Sequence, residues 1–214
     1  MNIAVLIRAL GNSGGDWVLY VLVAFSMVSI AIILERAVHF WMNREPFETL
    51  VGEGIPALAR GDRQAVRDRQ KGPVGRMLHL ATDEWAIGAD RLAATLLAHR
   101  LRERATAERG LVVLGTLGNN APFVGLFGTV LGIIRAFQDL GNAAAQGPAA
   151  VMTGLSEALV ATAVGIMVAI PAVIFYNLYQ RSIRVMDYQL EEAAEAVVAI
   201  KRSEQAAPAP AATR

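Results

Sequence analysis

The sequence predicts an all-α membrane protein with three transmembrane helices and long cytoplasmic helical extensions. The chain of 214 residues is 54% hydrophobic and only 18% charged, and its mean hydropathy is +0.40. That balance is apolar for a soluble domain. Three uncharged stretches, residues 17–34, 111–134 and 158–180, each have enough residues to cross a bilayer as a helix, which takes roughly 17–25.

The first stretch, residues 17–34, could be a signal peptide or a retained anchor. Only Arg8 provides positive charge before it, and its apolar run is long for a signal sequence. No small-x-small cleavage pattern follows directly after its end. These features favour a retained transmembrane helix.

Lys and Arg lie very unevenly around the three spans. Thirteen of the twenty fall in residues 35–110 and five after residue 180, whereas Arg8 and Arg135 are the two on the opposite side. Basic residues accumulate on the cytoplasmic side, so the N-terminus is predicted to be periplasmic and the C-terminus cytoplasmic. The predicted segments are a periplasmic N-terminus (1–16), span one (17–34), a cytoplasmic helical loop (35–110), span two (111–134), a periplasmic connection (135–157), span three (158–180), a cytoplasmic helix (181–204) and a disordered tail (205–214).

The cytoplasmic segments are predicted to be helical. One helix should begin near Pro73, because proline suits the first helical turn. A longer one, capped by Asp90, is expected to run into span two as far as Phe137, because no proline intervenes before Pro122. Apolar residues at helical spacing in 90–109 and 183–200 favour a packed bundle; docking of a soluble partner is the alternative.

Small residues form stripes on spans two and three, and in membranes such residues let helices approach closely. Either the two helices pack together within one chain, or they line a closed ring in an oligomer. Three spans can hardly enclose a path alone, so a path would require an oligomer. Pro122 and Pro171 each remove a backbone donor and are expected to kink their helices. The stripe glycines are Gly118, Gly125, Gly128, Gly132 and Gly165.

Few polar groups accompany these stripes. Thr129 lies in span two and Thr162 in span three, and each could bond to its own helix or line a polar path. Glu157 borders span three and is either an interfacial carboxylate or part of a proton path. No carboxylate lies inside any of the three spans. If protons cross here, a partner helix must bring the titratable group.

Several function classes find no support in the sequence. The chain has no Cys, and its three His are far apart, so neither a metal site nor a cofactor is expected. No P-loop is present, no nucleophile–base set indicates an enzyme, and a net charge of +1 gives no reason to expect nucleic acid. Solute transport by a repeat-built carrier lacks the internal inverted repeat. A static membrane scaffold that docks a soluble partner remains an alternative.

Two sequence stretches carry a family resemblance, GNNAPFVGLFGTVLGIIRAF and LSEALVATAVGIMVAIPAVIFYN. They resemble the two signature spans of the MotA/TolQ/ExbB proton-channel family, in its ExbB and TolQ branch. Residues 115–180 carry the match, and Leu131 and Ile134 depart from it where many relatives have Trp and Met.

The resemblance implies a ring-like homo-oligomer, a pentamer, in the bacterial inner membrane. Spans two and three would surround the single-span helices of an ExbD- or TolR-like partner that carries a membrane aspartate, and a TonB- or TolA-like protein would join them. Proton flow would drive rotation of one component within the other. The resemblance assigns pore-lining roles to Thr129, Glu157 and Thr162. It leaves open TonB-dependent uptake, outer-membrane constriction at division and gliding.

Overall fold

The computed structural model describes residues 16–44, 46–62, 64, 66, 72–142 and 147–206. Every regular element in these ranges is helical, as the sequence predicts. The elements are α1 (Asp16–Met42), α2 (Phe47–Thr49), a π-helical turn (Leu50–Gly54), α3 (Ile55–Ala59), α4 (Pro73–Asp83), α5 (Ala89–Ala107), α6 (Leu111–Asn142) and α7 (Gly147–Ala206). Most of the predicted periplasmic N-terminus and of the predicted disordered tail lies outside the described residues.

Three helical stretches of the described chain are long and apolar enough to cross a membrane, and they contain the central parts of α1, α6 and α7. All three helices extend beyond the predicted spans. The helix α7 has 60 residues and includes the end of the predicted periplasmic connection, span three and the predicted cytoplasmic helix. The chain therefore has the helices of a multi-pass membrane protein.

The chain divides into two compact units. The first, which we name the membrane unit, contains the described residues 16–35 and 110–178. Its core is small and draws on α1, α6 and α7, so the three predicted spans pack on one another. The buried core residues are Val18, Leu22, Ala121, Leu131, Val168 and Ala169.

The second unit, which we name the helical unit, contains residues 36–109 and the described residues from 179 onward. Its larger core takes side chains from α3, α4, α5 and the C-terminal part of α7. Leu92 and Leu96 on α5 are fully buried, as are Leu190 and Val197 on α7, whereas Leu97 is 53% exposed. The structure therefore contains the helical bundle predicted from the apolar spacing.

The predicted continuous helix from Asp90 to Phe137 is wrong. The helix α5 ends at Ala107 and α6 begins at Leu111, because Gly110 has φ of +74°, a conformation that an α-helix of L-residues does not continue through. The end of α5 is also held by Arg36, whose Nη1 donates to the carbonyls of Thr106 at 2.9 Å and Ala107 at 3.4 Å. The backbone N–H groups of Glu108 and Arg109 also donate to the Thr106 carbonyl.

The start of α5 also differs from the prediction. Gly88 in extended conformation is the N-cap residue and makes no side-chain cap, so Asp90 does not cap the helix. Asp90 lies in the first turn instead and accepts a hydrogen bond from Arg202 at 3.2 Å. The helix α4 begins at Pro73, as predicted.

Candidate functional site

The small residues of α6 and α7 face each other in the membrane unit and bring the two backbones together. A Cβ added at Gly125 would lie 2.6 Å from the Ala161 carbonyl oxygen, and one added at Gly165 would lie 2.7 Å from the Ala121 carbonyl oxygen. Real Cβ atoms do not approach other atoms so closely, so only glycine fits at these two positions. We call this contact the glycine seam.

The other stripe glycines extend the seam in both directions. A Cβ at Gly132 would lie 2.6 Å from that of Ala158, and one at Gly118 would lie 2.8 Å from Val173 Cγ2. At Gly128 a Cβ would lie 2.9 Å from both the Ala161 Cβ and a Val18 methyl group of α1. The structure thus uses these glycines for packing within one chain, which was one of the two readings of the stripes.

Thr129 lies in the middle of the seam and is only 8% exposed. Its hydroxyl lies 3.3 Å from the Gly125 carbonyl oxygen of its own helix and 3.2 Å from the Ala158 carbonyl oxygen of α7. It is also hydrogen-bonded to the Thr162 hydroxyl. The local helix bond and the link to a second helix are therefore both present.

The donors and acceptors at this pair can be counted. Each hydroxyl has one proton and two lone pairs, and the two nearby carbonyls can only accept. In one arrangement the Thr129 hydroxyl donates to a carbonyl and its oxygen accepts a hydrogen bond from Thr162. In the other, the Thr129 hydroxyl donates to the Thr162 oxygen, and the Thr162 proton then needs another acceptor. The contact is therefore compatible with either hydroxyl as the donor.

Glu157 is exposed and lines a cavity of about 650 Å³ between the ends of α6 and α7. Arg135 and Asp139 of α6 line the same cavity, with 3.9 Å between the Arg135 Nε and an Asp139 carboxylate oxygen. Ala158, whose carbonyl contacts Thr129, also lines it. The cavity therefore joins the charged end of the spans to the backbone beside the threonine pair.

Pro122 and Pro171 are inside α6 and α7, and both helices continue through them. Neither proline can donate to the carbonyl four residues earlier. The kinks expected at these residues stay predictions.

The sequence reasoning missed three participants in this region: Arg135 and Asp139 as a pair, and Gly115. Asp139 follows Arg135 by four residues, which places the two on one helix face, and this spacing could have drawn attention to the pair. Gly115 is the third: a Cβ there would lie 2.9 Å from the Tyr176 ring of α7. Among the described residues, no group of three or more His, Asp or Glu side chains could hold a metal ion.

Comparison with known proteins bears on what this arrangement does. The sequence model of the MotA/TolQ/ExbB proton channel family matches residues 70–192, which contain α4, α5, α6 and most of α7. The chain belongs to this family. The members of this family are proton-channel subunits and not enzymes.

Its relatives include both ExbB and TolQ proteins. The biopolymer transport protein ExbB-like 2 of Helicobacter pylori is 40% identical over 121 residues, which is 54% of this chain and 81% of the relative. ExbB of Pseudomonas putida is 44% identical over 106 residues, 46% of this chain and 32% of the relative. The Tol-Pal system protein TolQ of Pseudomonas aeruginosa is 49% identical over 76 residues, 36% of this chain and 33% of the relative. The family resemblance and its ExbB/TolQ branch are confirmed.

Proposed function

We propose that the chain is the channel subunit of an inner-membrane motor, which converts proton motive force into mechanical work on the cell envelope. Its most direct role is ExbB-like, the energising of TonB-dependent outer-membrane transport. The observation that carries the proposal is the hydrogen-bonded pair Thr129 and Thr162, which joins α6 to α7 inside a seam of glycines. In this pair Thr129 is buried and Thr162 is half-buried, so a polar contact lies between the two helices where apolar side chains would also pack.

A partner must complete the proton path. None of the three spans contains a carboxylate, and a proton relay through a membrane needs a titratable group. We propose that a single-span protein of the ExbD or TolR type supplies it as an aspartate. Several copies of the chain, five in our proposal, surround that helix, because three helices do not enclose a path.

The three site residues then have distinct roles. Thr129 and Thr162 line the route beside the partner's aspartate, and Glu157 exchanges protons at its outer end. The charge distribution supports a periplasmic N-terminus and a cytoplasmic C-terminus, since the basic segments 35–110 and 181–214 belong on the cytoplasmic side. Glu157 accordingly faces the periplasm, where the proton motive force loads it.

A TolQ-like role in envelope constriction, within a Tol-Pal system, is the second candidate. It is supported by the 49% identity to TolQ of Pseudomonas aeruginosa over 76 residues. A gliding motor would use the same chemistry. The alternative from another class is a static scaffold, in which the helical unit docks a soluble protein and the threonine pair carries no protons.

One experiment separates the motor from the scaffold. The chain is purified together with co-expressed single-span candidates, the mass of the complex is measured, and proton uptake is followed in liposomes. We expect a complex of several copies with a partner that bears a membrane aspartate, and proton flux that requires that aspartate. A stable monomer that takes no such partner, or substitutions in 90–109 that abolish function while Thr129 and Thr162 variants stay normal, would establish the scaffold.

A further inference from the structure

The cavity beside Glu157 contains more charge than a proton site requires. Its charged lining residues, among those the structure describes, are Glu157 on α7 and Arg135 and Asp139 on α6. Thr153 adds a side-chain hydroxyl to the same lining. The cavity, about 650 Å³ in volume, has room for many waters, since one water takes about 30 Å³ of liquid volume.

The two carboxylates and the hydroxyl that line this cavity are oxygen ligands of the kind that hard metal cations prefer. With the carboxylates ionised and without Arg135, the lining would have a formal charge of −2, and Na⁺ would compete with protons there. The Arg135 guanidinium adds one positive charge, so the formal charge of the lining is −1. Its charge is also independent of pH in the physiological range, because Arg stays protonated.

We propose that Arg135 keeps metal cations out of this cavity, so that Glu157 exchanges protons only. This inference rests on the proposed function, since it assigns ion selectivity to the same site. A cation needs several oxygen ligands at once, and the fixed positive charge opposes its arrival at any of them. A proton reaches one carboxylate through hydrogen-bonded water and forms a covalent O–H bond there, so it needs no coordination shell.

Asp139 has a defined part in this arrangement. It lies one helical turn after Arg135, with 3.9 Å between the two groups, and both side chains line the cavity. Both side chains are about half exposed, at 51% and 61%, so their attraction is weak and screened by salt. Arg135 and Asp139 therefore affect the site through the charges they place in the cavity lining, and they contribute little to the stability of the protein.

Four matched chains test the proposal by charge alone. The formal cavity charge is −1 in the native chain, −2 in Arg135→Gln, 0 in Asp139→Asn and again −1 in the double variant. Each complex with the single-span partner is reconstituted in liposomes, and proton uptake is measured with Na⁺ outside or with N-methylglucamine at the same ionic strength. The large organic cation controls for screening.

We expect Na⁺ to inhibit Arg135→Gln at concentrations roughly tenfold lower than it inhibits the native complex, as the loss of one positive charge from the same cavity lining implies. The double variant should match the native complex, and Asp139→Asn should be the least sensitive. Equal Na⁺ sensitivity in all four chains, with proton flux intact, would overturn the proposed exclusion of metal cations by Arg135 and leave the proposed function standing. Absence of proton flux in the native complex would overturn both.

Discussion

The hydroxyls of Thr129 and Thr162 are hydrogen-bonded to each other across two helices, and the carbonyl of Ala158 lies 3.2 Å from the first of them. This hydroxyl contact lies within the packed surface of the glycine seam. A change at either threonine therefore tests function, whereas a change at a seam glycine tests assembly.

Thr162→Ala should lower proton flux and energy transfer roughly fivefold, because Thr129 then loses the Thr162 hydroxyl as its hydrogen-bond partner, and one such bond is worth about 1 kcal/mol. Thr162→Ser keeps the hydroxyl and should retain most activity. Flux in liposomes and the mass of the complex are measured together. Normal flux in Thr162→Ala would argue against a pore role for the pair.

Glu157→Gln should likewise reduce flux while assembly survives, since the amide keeps the shape of the side chain but does not exchange protons in the physiological range. The exposed Glu48→Gln in the helical unit is the matched control. Proton uptake and the mass of each complex give the readout. An active Glu157→Gln complex would make Glu157 an ordinary interfacial carboxylate.

Gly125→Ala should destabilise the membrane unit by about 1–3 kcal/mol, the usual cost of overpacking. Its new Cβ would meet the Ala161 carbonyl oxygen at 2.6 Å, and the backbone there cannot move aside cheaply. Gly141→Ala, on the same helix with nothing within 4 Å, is the control and should be neutral or slightly stabilising. Thermal unfolding in detergent compares the two, and equal midpoints would contradict the close contact.

Asp187 in the helical unit should make stability depend on pH. Arg100 donates to its carboxylate at 2.7 and 2.9 Å, and these bonds hold the pKa of Asp187 below its ordinary value. A lowered folded-state pKa stabilises the protein above the unfolded-state value, and that contribution is lost as pH falls through the folded-state pKa.

Asp187→Asn should therefore cost about 1–3 kcal/mol at neutral pH and progressively less in acid. Urea unfolding measured from neutral pH down to pH values below the ordinary Asp pKa checks this. The exposed Asp90, which also meets an arginine, provides the control Asp90→Asn, for which little change is expected. A loss of stability in Asp187→Asn that is the same at every pH would refute the assigned cause.

Arg36→Met should loosen the end of α5, because the carbonyls of Thr106 and Ala107 lose the Arg36 guanidinium as a donor. Arg36 is only 4% exposed, so the methionine keeps apolar contact and isolates the loss of the guanidinium. Hydrogen exchange at residues 104–110 should become faster, with Arg44→Met on the exposed surface as the control. Unchanged exchange there would show that Gly110 alone ends the helix.

The sequence predicted the helical class and the three spans because charge is excluded from long stretches of a membrane chain. It did not predict the end of α5, since a glycine permits both helix and left-handed turn, and the sign of φ at Gly110 depends on what surrounds it. The spacing of the glycines indicated one shared helix face, but it did not show which surface that face contacts. Arg135 was noticed only as one of the two basic residues outside the cytoplasmic segments, because the sequence does not show that it shares a cavity with Asp139 and Glu157.

The contact between Gly125 and Gly165 also limits how the protein can move. Side chains that separate two helices can change rotamer and let the helices slide, but here backbone meets backbone and no side chain remains to adjust. We therefore expect α6 and α7 to move as one rigid body around this contact. Movement during a working cycle is then expected at other surfaces. A bulky substitution at this contact would separate the two helices rather than bend them.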